Sequence, residues 1–301
     1  MSHKKVFYFR LFPFLVLLFA WVNIAAAAGP SNTVLINEIM YHPSAANAGA
    51  AYVELQNATD LTIDLSGWQF TKGIAFTFPA NTILPARAYL VVASDSTAFA
   101  RVYPTVANFI AGWTGNMGLD LRLEDSQGQV INEVSYAPDG DWATRQLGQP
   151  MYNHRGWEWV ATHDGSGPSL ELINATLPNT LAQNWTSSVS ANGTPGRVNS
   201  TVNANLAPLI SSVIHSPSLP GPSDPVTISA RILDESAFGL TVDLLYRVAS
   251  TSTPGFFTRV SMLDDGQHGD GLASDGIYGV VLPPRATGTI IEFYLEAKDA
   301  G

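Results

Sequence analysis

Short runs of strand length, broken by Gly, Pro, Asn and Asp, follow one another from Val34 onward. "VLINEIMY", "AYVELQN", "AYLVVAS", "LDLRLED" and "QVINEVSY" are β-branched or apolar at alternate or successive positions and are bounded by turn residues. One stretch breaks the rule. "SDSTAFARVYP" predicts a helix, capped by Ser94 or Asp95 and stopped by Pro104. The polar, Asn-rich segment "GTPGRVNSTVNANLAP" (Gly193 to Pro208) has no apolar period and reads as a boundary. Beyond it the strand pattern resumes in "LISSVIH", "PVTISARIL", "TVDLLYRV", "FFTRVSML", "GIYGVVLP" and "TIIEFYLEAKD". Many short strands with frequent turns predict an all-β chain of two β-sandwich domains.

The first 28 residues stand apart. Lys4, Lys5 and Arg10 precede the apolar run Leu11 to Ile24, and small residues follow up to Ala28. That is the pattern of a secretory signal peptide, with an uncleaved anchor as the alternative. The expected organisation is therefore a signal at 1–28, a first sandwich at 29–199, a linker at 200–208 and a second sandwich at 209–301. The chain ends directly after a strand, so the second sandwich is expected to be truncated and a further domain to follow. Export places the protein outside the cell, with no membrane insertion once the signal is removed.

Charge and cysteine content narrow the partners. The signal segment holds three of the 15 bases and none of the 25 acids, so the remainder carries 12 against 25, a net −13. Such a chain lacks the cations that release counterions from a phosphate backbone, which excludes nucleic acid and disfavours anionic membranes. Cysteine is absent, so no disulfide staples either core. Sequons stand at Asn57, Asn174, Asn184, Asn192 and Asn199.

The motifs also carry a resemblance. Asn37-Glu38-Ile39, then Glu54-Leu55 with Asn57, then Asp64-Leu65-Ser66-Gly67-Trp68 occur in the order and setting of a lamin-tail domain of the bacterial secreted kind. "FPANTILPARAYLVV", "LRLEDSQGQVINEVSY", "GPSLELIN", "QNW" and "GTPGRVN" continue the resemblance to about Asn199. The remainder is similar to the immunoglobulin-like domain that follows lamin-tail domains in large exported proteins, many of which carry a CotH-type kinase domain next. That resemblance implies an immunoglobulin-like fold for both halves. The chain itself has no Gly-rich phosphate loop and no catalytic Asp-x-x-x-x-Asn loop.

Several residue groups suggest chemistry and have a plainer reading. Glu38 and Glu54 form a candidate acid/base pair, or accept hydrogen bonds from turn amides or face solvent at alternate strand positions. Ser166 and Ser169 lie in "GSGPS", which lacks the nucleophile-elbow pattern and predicts a turn. His154, His163 and Asp164 suggest zinc, without a third soft ligand. Trp142, Trp157 and Trp159 suggest either a sugar-stacking platform or, more in keeping with a sandwich, core plugs. In "MLDDGQHGDGLASDGIYGVVLP", Asp264, Asp265, Asp270 and Asp275 bring four carboxylates into a dozen residues. They predict a strand-connecting turn, with a Ca²⁺ site as the alternative, although the EF-hand spacing is missing. No residue is expected to be catalytic. The expected function is a non-catalytic extracellular adhesion or presentation module for a protein or glycan surface ligand. The alternatives are the N-terminal region of a larger exported CotH-type kinase and a carbohydrate-binding module.

Overall fold

The computed structural model describes residues 33–152, 154–249 and 255–301. The signal segment read at 1–28 lies outside them. In the first domain the strands are β1 Val34–Met40, β2 Tyr52–Asn57, β3 Ile63–Asp64, β4 Gln69–Lys72, β5 Phe76–Thr77, β6 Ile83–Leu84 and β7 Tyr89–Ala93. Helix α1, Ser96–Val102, follows β7. Then come β8 Phe109–Ala111, β9 Asp120–Glu124, β10 Val130–Ser135, β11 Thr144–Leu147, β12 Trp157–Val160, β13 Leu170–Leu172 and β14 Trp185–Ser187. The second domain holds β15 Leu209–Ser216, β16 Val226–Leu233, β17 Thr241–Val248, β18 Thr258–Ser261, β19 Ile277–Leu282 and β20 Ile291–Lys298.

The fold is all-β, as the periodicity predicts. Every strand-length run quoted above contains a strand, and of the two cap candidates Asp95 is used, accepting from the Ala98 amide at 2.6 Å. A six-stranded sheet, ordered β14-β13-β1-β2-β7-β8, faces a four-stranded sheet, β10-β9-β4-β5. Between them lies the main core, with Leu35, Ile36, Leu55, Phe78, Leu84, Leu121 and Leu123 buried. Full burial of each such side chain contributes about 1.5–3 kcal/mol.

The six-stranded sheet is covered on its other face too. Helix α1 and its flanks pack Phe99 and Tyr103 against Met40, Tyr52 and Val91. This double burial explains why β1 is buried at all seven positions instead of alternating. A bulge between Ile36 and Glu38 interrupts β1. Its backbone is satisfied by side chains, since the Ile36 amide donates to Asn132 Oδ1 at 3.0 Å and Asn179 Nδ2 donates to the Ile36 carbonyl at 3.2 Å.

The second domain is two three-stranded sheets, β15-β16-β19 and β18-β17-β20. They enclose Ile228, Ile232, Val242, Leu244, Met262 and Val280. Among the described residues no helix is long and apolar enough to cross a membrane.

Candidate functional site

The paired acids suggested by the sequence meet, and a third joins them. In the sheet register Glu38 on β1 stands opposite Glu54 on β2 and opposite Glu171 on β13. Directly opposed residues share a face about 4.5–5.5 Å apart, so three carboxyls lie in one row, all buried. Sequence reasoning missed Glu171. Its only signal is its place in "LELIN", and the pairing of that strand with β1 cannot be read from spacing.

The row is filled by the segment that runs from Gly193 to Thr201. Glu38 Oε1 accepts from the Thr194 amide at 2.7 Å, from Tyr52 Oη at 2.6 Å and from Ser169 Oγ at 2.5 Å. Glu54 accepts from the Gly196 amide and from Asn37 Nδ2. Glu171 accepts from Thr194 Oγ1, Ser200 Oγ and both the amide and hydroxyl of Thr201. Ser200 and Thr201, read from sequence as linker, are thus tied to the first domain. Ser169 spends its hydroxyl on Glu38 and is a packing residue.

Burial pushes the Glu38 carboxyl up to about 7, against the pull of Ser169, Tyr52 and Thr194, and the nearby Glu171 adds to the rise. Glu54 is driven the same way by burial and by Glu38. Glu38 Oε2 has no hydrogen-bond partner, as suits a carboxyl held neutral, since an uncompensated buried charge costs far more than a neutral acid.

The histidines do not assemble a zinc site. His163 is buried, with Nε2 2.8 Å from the Trp142 carbonyl and Nδ1 3.1 Å from Tyr41 Oη. A carbonyl only accepts, so Nε2 carries the proton and Nδ1 accepts from the tyrosine. Burial lowers the His163 pKa, which keeps that tautomer neutral. Asp164 pairs with His42 at 2.7 Å, while His154 lies in the β11–β12 loop and bridges Met151 through its backbone.

The four aspartates of the acidic turn use their oxygens on backbone amides. Asp264 accepts from Asp275 and Gly276, and Asp265 from Gln267 together with the His268 ring. Asp270 accepts from Asp265, Gly266 and His268, and Asp275 from Leu272 and Ile277. Asp270 is buried, which raises its carboxyl, but the amides outweigh this and leave it below the usual aspartate value. Among the described residues no group of three or more His, Asp or Glu side chains is arranged to hold a metal ion. Removing calcium with EDTA is therefore expected to leave the thermal midpoint unchanged. A site filled at 100 times its dissociation constant would add about 2.7 kcal/mol, and a midpoint shift on adding millimolar CaCl₂ would show that an ion displaces the amides.

The feature left unabsorbed is the β11–β12 hairpin. Among the described residues its strands pair only with each other, Thr144 to Val160, Arg145 to Trp159, Gln146 to Glu158 and Leu147 to Trp157. Its base is closed by the His163–Trp142 hydrogen bond and by Trp142 packing on Trp185, ring centroids 6.0 Å apart. Period-two alternation puts Arg145, Leu147, Trp157 and Trp159 on one face. Trp157 is 58 % exposed and Trp159 49 %. Of the three tryptophans expected as core plugs, only Trp142 packs inward. The reason is topological: the hairpin joins neither sheet, so its apolar face has no core to enter. The Arg145 guanidinium lies over these rings, 4.7 Å from the Trp157 centroid and 5.9 Å from that of Trp159, within cation–π range of both. At the tip, Met151 and Tyr152 are exposed.

Residues 27–138 match the family described as Lamin Tail Domain. The chain carries a lamin tail domain. Residues 230–293 match the conditioned medium factor 2nd Ig-like domain, so an Ig-like domain follows it. No curated protein matches the chain in sequence. Both matched domains are β-sandwich modules. The lamin-tail match ends before β11, while the sheet needs β13 and β14 to complete the cover of β1. The aromatic hairpin lies in the stretch that neither family accounts for.

Proposed function

We propose that the chain is a non-catalytic recognition module, exported from the cell, that binds a protein partner through the β11–β12 hairpin of its lamin tail domain. One observation carries this reading. A hairpin outside both sandwiches exposes Trp157, Trp159, Leu147, Met151 and Tyr152 around an arginine. Trp, Tyr, Arg and Met are the side chains that dominate protein interfaces, and an apolar cluster this exposed is uncommon on a surface without a partner. The export pattern at 1–28 and the absence of cysteine support a location outside the cell without disulfide scaffolding.

The carbohydrate reading is less well supported by the same geometry. Sugar stacking needs free ring faces, and Arg145 covers one face of Trp157. The two readings separate in a binding experiment on immobilised cell envelopes treated with protease or with glycosidases. Protease treatment is expected to remove binding of the labelled chain, and Trp157→Ala to weaken it tenfold or more with an unchanged thermal midpoint. Loss of binding after glycosidase alone would transfer the site to a glycan. Full binding by Trp157→Ala would remove the hairpin from the account.

A further inference from the structure

The second domain holds a cavity of about 440 Å³ at the end of its sandwich remote from the linker. It lies between the two sheets, where the start of β16, the end of β19 and the start of β20 meet. Val226, Ile228, Leu282, Ile291 and Phe293 form its apolar floor and are continuous with the domain's core. The connections 217–225 and 283–290 both contribute lining residues, among them Pro220, Pro222, Pro283 and Arg285. Pro220, Pro222 and Pro283 stand in its wall, and their fixed φ makes a preformed rim. The volume falls in the range of small-molecule sites, roughly 300–1,000 Å³.

The rim has a definite charge character. Three titratable side chains line the cavity, His215, Asp224 and Arg285, beside the hydroxyls of Thr287 and Thr289. Asp224 already accepts from the Gly221 amide at 2.8 Å, and His215 lies against the Pro217 carbonyl. In the same domain Arg247, Arg259 and Lys298 each hold a carboxylate. Arg285 holds none among the described residues. An unpaired guanidinium beside an apolar hollow matches a ligand with a hydrocarbon body and one anionic end, because Arg binds carboxylate in a bidentate fork.

We infer that this cavity is a binding site for a small apolar carboxylate, the hydrocarbon seated on Ile228, Leu282 and Phe293 and the carboxylate held by Arg285. The site is separate from the hairpin and does not depend on it. Filling the hollow removes apolar surface from water and adds dispersion contacts that the sheets do not make with each other there.

The test uses the full chain titrated with 2-naphthoate by calorimetry, with the neutral 2-naphthylmethanol as control. Saturable 1:1 binding of the acid is expected, at least tenfold tighter than the alcohol. Arg285→Gln, a substitution on an exposed side chain, is expected to abolish the preference for the acid. Val226→Trp, which fills the mouth, is expected to abolish binding of both, and Trp157→Ala to change neither. No saturable binding, equal binding of alcohol and acid, or full acid binding in both Arg285→Gln and Val226→Trp overturns the assignment.

Discussion

Glu38→Ala is expected to lower the unfolding free energy of the lamin tail domain by roughly 3–5 kcal/mol. The substitution removes the common acceptor of Ser169 Oγ, Tyr52 Oη and the Thr194 amide. Each buried donor left without a partner costs about 1–3 kcal/mol. Glu38→Gln keeps an oxygen in the same place and is expected to cost far less. The two variants separate hydrogen bonding from charge, and the pH profile completes the separation. The folded pKa of Glu38 is raised, from 4.5 to about 7. The folded state therefore binds the proton more tightly than the unfolded state. The stability it contributes is complete below pH 4.5, falls as pH rises and is lost above about 7. Over that window the loss is worth roughly 3 kcal/mol. Chemical denaturation from pH 4.5 to 8 is expected to show this decline in the native chain and a flatter line in Glu38→Gln. A parallel decline in both would mean that Glu38 keeps its charge.

Gly193→Ala is the second large effect. Gly193 has φ +79°, and a Cβ built there lies 2.3 Å from Glu38 Oε1 and from Tyr52 Oη, and 2.6 Å from Ser169 Oγ. Left-handed backbone costs an alanine roughly 1–2 kcal/mol, and overpacking a closed site adds about 1–3 kcal/mol. The expected destabilisation is therefore roughly 3 kcal/mol, read from the denaturation midpoint. Gly196→Ala is the control, because the same left-handed φ is met only by a Val106 methyl at 3.1 Å. It should cost about 1–2 kcal/mol. Equal losses in the two variants would show that a Cβ at Gly193 does not press on the carboxyl row.

The strands and helix α1 were legible because local pattern decides them. Alternation, turn residues and the Asp95 cap act within a few positions. The lamin-tail motifs were legible for a related reason: Asn37, Glu38, Glu54 and Asn57 are buried polar residues whose places the fold fixes. Their role was legible only in outline, since hydrogen bonding to turn amides is what Glu38 and Glu54 do. Glu171 was not, because its meeting with Glu38 spans 133 positions and depends on sheet order. Composition misplaced Trp157 and Trp159 for a physical reason. An aromatic side chain reads as core unless one knows that its strand joins no sheet. The sequons illustrate the same limit. Asn57, Asn174, Asn184 and Asn199 are buried and their amides are spent inside the fold, and Asn192 alone is exposed.

The measurement that tests the account most directly compares three forms of the chain for binding to intact cells: native, Trp157→Ala and Glu38→Gln. Recognition belongs to the hairpin and folding to the buried carboxyls. Equal binding by the native chain and Glu38→Gln is expected, with at least a tenfold loss in Trp157→Ala at an unchanged midpoint. Loss of binding in a folded Glu38→Gln, with Trp157→Ala unaffected, would contradict this division and return the function to the carboxyl row.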